Sequence, residues 1–84
     1  MLMTPGQCRM ARAALNLNGG DLAKVARVGI NTISRFEQGR EARQSSVEAL
    51  QRALEAEGVV FIGSGEASLS GGTGVRLRAA VRER

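Results

Sequence analysis

At 84 residues and 8.9 kDa, with 43% hydrophobic but only 2% aromatic residues, the chain has room for one small core built from Leu, Ile, Val, Met and Ala. It has no His, Trp or Tyr and a single cysteine, Cys8, which excludes an internal disulfide, a cysteine-based zinc site and histidine chemistry. Twelve basic residues face eight acidic ones, and the net +4 lies wholly in the first half: residues 1–43 carry seven positive and three negative charges, residues 44–84 five of each. A basic half and a pI near 11.0 are the electrostatic footprint of a polyanion binder. No apolar run nears the ~18–20 residues of a membrane span, and no charged-then-apolar stretch opens the chain, so a cytoplasmic protein without a membrane partner is expected. Without disulfide staples, so small a domain is expected to be completed by a partner subunit.

Thr4, Pro5 and Gln7 fit the N-cap, first and third positions of a helix over about 5–16, with Cys8, Ala11 and Leu15 on its apolar stripe and Arg9 facing outward. Asn18 followed by Asp21 predicts a second cap and a helix over about 19–26 that buries Leu22, Val25 and Ala26. A short turn, 27–29, leads to a third helix over about 30–38, with Ile33 and Phe36 inward and Gly39 as the stop. The polar run 40–44 reads as a loop. Ser45 and Glu48 have capping-box spacing and predict a fourth helix over about 46–57, carrying Val47, Leu50, Ala53 and Leu54 inward. The apolar run Val59-Val60-Phe61-Ile62 is too short for a helix and reads as a buried strand. Residues 63–74 contain five glycines and read as a flexible loop, 75–78 alternate as a second strand, and 79–84 form a polar tail. The fold class expected is mainly α: a four-helix domain over 1–58 with a two-stranded β extension over 59–78.

The second and third helices, joined by a three-residue turn, make a helix-turn-helix. Asp21-Leu22-Ala23-Lys24 through Val28, then Asn31-Thr32-Ile33-Ser34-Arg35-Phe36-Glu37-Gln38-Gly39, resemble the Xre/Cro family of bacterial and phage repressors, and the resemblance spans about residues 4–58. It implies a DNA-binding regulator whose third helix enters the major groove. Ile30, Asn31, Ser34 and Arg35 would then meet base edges: Arg suits guanine, Asn suits adenine, and Ile suits the thymine methyl. Asn18, Gly19, Thr32, Arg40 and Arg43 are the candidate phosphate contacts. Arg12 and Glu37 occupy positions where the family often holds a buried ion pair. The chain departs from the family pattern at Gly19, where many members have Gln, at Arg27, where the turn has Gly, and at Gly29, where Ser or Thr caps the third helix. A left-handed Arg27 would carry strain of about 1 kcal/mol.

The apolar strand needs cover on both faces, so Val59, Val60, Phe61, Ile62, Val75 and Leu77 are expected to form a homodimer interface. The glycine clusters around 63–65 and 71–74 lack the G-K-[ST] of a phosphate loop. Cys8 reads as a core residue, and Glu48, Glu55 and Glu57 as a solvated face. No general base or activated nucleophile stands out. The expectation is therefore no enzyme, no metal and no cofactor, with double-stranded DNA and a second copy of the chain as partners. The other class left open is a helix-turn-helix that binds another regulator protein, as an antiactivator or antitoxin.

Overall fold

In a computed structural model that describes residues 2–63 and 71–78, the chain forms α1 (Pro5–Leu15), α2 (Gly19–Ala26), α3 (Ile30–Glu37), α4 (Gln44–Ala56), β1 (Val59–Ile62) and β2 (Gly74–Leu77). This is the mainly helical fold with a β extension that the sequence predicts. Most of the stretch read as a glycine-rich loop, 64–70, and the tail from 79 lie outside the described residues.

Local chemistry accounts for the helix limits. Thr4 Oγ1 accepts the Gln7 amide at 3.1 Å, and Gln7 Oε1 accepts the Thr4 amide at 2.8 Å, a reciprocal capping box. Met3 and Cys8, at the hydrophobic-staple positions around this cap, are both buried. Asn18 and Asp21 repeat the device on α2, at 2.7 and 3.0 Å. The α2 helix ends on Arg27, whose backbone is left-handed (φ 57°, ψ 43°), and the Val28 amide then reaches the Ala23 carbonyl at 3.2 Å. The slot is one a glycine fills without cost, so the strain expected at Arg27 is present. The α3 helix stops at Gly39 (φ 79°), where the Arg40 and Gly39 amides bond back to the Arg35 and Phe36 carbonyls, each at 2.9 Å.

Two expectations are corrected. The α4 helix begins at Gln44, with Arg43 as its N-cap, and Ser45 and Glu48 form no capping box. The Arg43 carbonyl accepts from Ser46 and Val47 at 3.0 and 3.1 Å, so the first turn closes before Ser45 can act as a cap. Val25 is 47% exposed rather than buried. The covered stripe of α2 runs through Leu22, Ala23 and Ala26, and Val25 lies roughly 110° round the helix from its middle.

The core gathers Met3, Cys8, Ala11, Leu15, Leu22, Ile33, Phe36, Val47, Leu50, Leu54 and Val59. Leu22, Ile33, Leu50 and Leu54 are fully buried, each contributing about 1.5–3 kcal/mol relative to exposure. The α2 helix packs on α3 and α4, while α1 touches α3, α4 and β2. The strands pair antiparallel, Val59 opposite Leu77 and Phe61 opposite Val75.

Period-two alternation turns Val59, Phe61 and Val75 toward the helices, and all three pack on the core. Of the six residues expected at a dimer interface, Val59 is 3% exposed within its own chain, and Phe61 and Val75 are half-buried against the core. Val60 and Ile62 lie on the outer face with Arg76, and Leu77, at the hairpin's end, is partly exposed.

Candidate nucleic-acid interface

The face of α3 is divided by its helical period. Ile33, Phe36 and Glu37 turn inward, Thr32 is half-buried, and Ile30, Asn31, Ser34 and Arg35 are exposed in one row. All four candidate base-reading residues thus share a surface. The Ser34 hydroxyl accepts from Gln38 Nε2 at 3.1 Å. Arg40 and Arg43 are exposed just beyond α3. Asn18 is exposed, but its carboxamide oxygen is committed to the Asp21 amide, leaving the Gly19 and Gly20 amides at the start of α2 to meet an anion. Gly29, the N-cap of α3, makes no side-chain cap bond.

An ion pair orients this surface from behind. Arg12 Nε and Nη2 each donate to a Glu37 carboxylate oxygen at 2.7 Å, a two-pronged pair between α1 and α3. Arg12 Nη1 also reaches the Leu17 carbonyl at 3.3 Å, and Arg9 donates to the Glu37 backbone carbonyl. The carboxylate side chain is 10% exposed and the guanidinium side chain 23%. Burial pushes the Glu37 carboxyl up, but hydrogen bonds from Arg12 and Cys8, with the charges of Arg12 and Arg9, outweigh it and hold it below its ordinary range. The same hydrogen bond raises Arg12. Burial, then the adjacent Glu37, pushes the Cys8 thiol up, so it stays protonated in the core, as its place on the apolar stripe suggests.

Beside the pair, a shallow cleft of about 390 Å³ opens between the start of α2 and α3, with Gly19, Ile30, Asn31 and Ser34 among its walls. Elsewhere, on α4, Glu48 and Glu55 accept from Gln44 and Gln51 one helical turn away, at 3.4 and 3.5 Å. Among the described residues, no three or more His, Cys, Asp or Glu side chains gather as a metal site, and no helix is long and apolar enough to cross a membrane.

One residue carries more than its sequence context announces. Gln7 is completely buried, and besides its capping role its Nε2 donates to the Ile62 and Gly74 carbonyls, both at 2.9 Å. It thereby ties the first turn of α1 to the loop end of the hairpin, where Ile62 and Gly74 pair. The capping-box spacing reveals half of this role; the hairpin bonds have no local signal.

No protein-family model matches the chain, and no curated protein matches it.

Proposed function

We propose that the chain is a sequence-specific DNA-binding transcriptional regulator of the Xre/Cro type, acting in the cytoplasm as a homodimer on a palindromic operator. The observation that supports this reading is the exposed row Ile30, Asn31, Ser34 and Arg35 on a helix braced by the Arg12–Glu37 pair, in the half of the chain that holds the whole charge excess. A helix of this width enters the major groove, where Arg35 reads guanine, Asn31 reads adenine and the Ser34 hydroxyl bonds either partner. Arg40 and Arg43, with Thr32 and the amides around Gly19, position the protein on phosphates. No bond-making chemistry is assigned to it.

Dimerisation through the outer hairpin face, Val60 and Ile62, would set two recognition helices about 34 Å apart for adjacent major grooves. Selection of duplexes from a random library tests the reading. It should return a two-fold symmetric site, and Arg35→Ala should lose about 1–3 kcal/mol with relaxed preference at one base pair. A folded wild-type chain that enriches no sequence, or an Arg35→Ala chain with unchanged preference, overturns it. For the dimer, Val60→Lys should give a monomer in sedimentation equilibrium. A wild-type monomer at tens of micromolar, or a Val60→Lys dimer, overturns that placement. The exposed Val25 and Ile30 favour the second reading, a module that binds another regulator protein. Salt-dependent retention on duplex DNA that exceeds retention on heparin at equal salt favours the DNA reading, whereas equal retention on both reports net charge alone and favours the second.

A further inference from the structure

Ile30 is the most exposed large apolar side chain among the described residues, at 54%, yet it is not free. A Cβ placed on Gly19 would lie 3.8 Å from Ile30 Cγ1 and 4.0 Å from its Cδ1. The Ile30 branch therefore rests across the first turn of α2, over a position that has no side chain of its own. Its neighbour Gly20 differs: a Cβ there meets the capping oxygen of Asn18 at 3.3 Å. Ile30 opens α3, where β-branching restricts its χ1. A side chain at position 19 that extends beyond a methyl toward α3 competes for the space Ile30 occupies and drives it to another rotamer. Ile30 and Gly19 also stand together at the cleft beside Asn31 and Ser34. The only apolar group that a standard base pair presents on its major-groove edge is the thymine C5 methyl.

We infer that Gly19 is the positioning residue for Ile30, and that Ile30, held across it, is the reader of a thymine C5 methyl at one operator position. The assignment rests on the DNA-binding reading above. Position 19 therefore sets base preference through Ile30, apart from any phosphate contact made by its own amide.

Binding of selected duplexes by the full chain, together with methyl NMR of the free protein, tests this. Free protein should show a contact between the Ile30 δ1 methyl and the Gly19 α protons. Replacing thymine with uracil at the position altered by Ile30→Ala should weaken wild type about fourfold, the effect of one buried methyl. Gly19→Ala, whose added atom sits at ordinary contact distance, should keep that discrimination. Gly19→Leu should abolish it, as Ile30→Ala does, and the double variant should lose no more than either. Gly19→Met reaches the same space and serves if Gly19→Leu fails to fold. A folded Gly19→Leu or Gly19→Met chain that keeps full thymine discrimination overturns the assignment, as does one that changes preference at a different base pair. So does the absence of the methyl contact in the free protein. A folded wild-type chain that selects no duplex overturns the DNA-binding reading itself, a result distinct from all of these.

Discussion

Replacing Glu37 with Gln removes one charge while keeping nearly the same shape, so its effect isolates the ion pair that braces α3. In wild type both carboxylate oxygens accept from Arg12 at 2.7 Å in a site where the carboxylate is 10% exposed. Breaking a fully buried pair costs about 3–5 kcal/mol because the remaining charge is stranded. Arg12 is 23% exposed and keeps its Leu17 carbonyl, so its stranding is partial. We expect Glu37→Gln and Arg12→Met each to cost about 2 kcal/mol, a drop in Tm of roughly 8–16 °C for a domain of this size. The double variant should recover about 1–2 kcal/mol relative to the sum. Acid should remove the difference. Glu37 is held below its unfolded value of about 4.3, so its contribution is fully present above that value and is lost as pH falls through the folded one. Wild type and Glu37→Gln should therefore differ at pH 7 and converge as pH drops below about 4. Chemical denaturation across pH, with the double-mutant cycle at pH 7, is the assay. Single effects that simply add, or a gap between wild type and Glu37→Gln that persists unchanged into acid, would refute the bracing role.

Arg27→Gly should stabilise the chain by about 0.5–1 kcal/mol in thermal melts, since the left-handed backbone at 27 strains any residue with a Cβ; a loss of stability would mean that the Arg27 side chain makes contacts worth more than the strain. Gln7→Met should cost about 2–4 kcal/mol, because it leaves the Thr4 amide and the Ile62 and Gly74 carbonyls without their partner, and hydrogen exchange should rise at Thr4 and along the hairpin. A cost under about 0.5 kcal/mol would show that water replaces Gln7 freely. Arg40→Ala and Arg43→Ala should each weaken binding to all duplexes about equally and flatten the slope of log K against log salt by roughly one; an unchanged slope would leave them as ordinary surface charge.

The helix-turn-helix was legible because its signals are short-range. The Thr4/Gln7 and Asn18/Asp21 boxes and the Gly39 stop each bring together residues only a few positions apart, and the structure keeps all three. The same spacing at Ser45 and Glu48 misled, because a backbone carbonyl at Arg43 closed the first turn two residues early. The row on α3 was legible for a related reason: Ile33 and Phe36 mark the inward side, and the 3.6-residue period leaves Ile30, Asn31, Ser34 and Arg35 on the other.

What the sequence determined by itself is therefore the set of elements, the caps of α1 and α2 and the inward sides of α1 and α3, since these depend on neighbours within about one turn. It also placed the charge excess in the first half. Only the tertiary structure decided which face of the hairpin the helices cover, because Val59 to Ile62 is apolar on both sides and alternation alone names no preferred one. It likewise decided that Gln7 reaches carbonyls 55 and 67 residues away, and that Ile30 lies over Gly19. A polar or apolar side chain carries its capacity in the sequence, but its partner is whatever the packing of distant elements brings within about 3 to 4 Å.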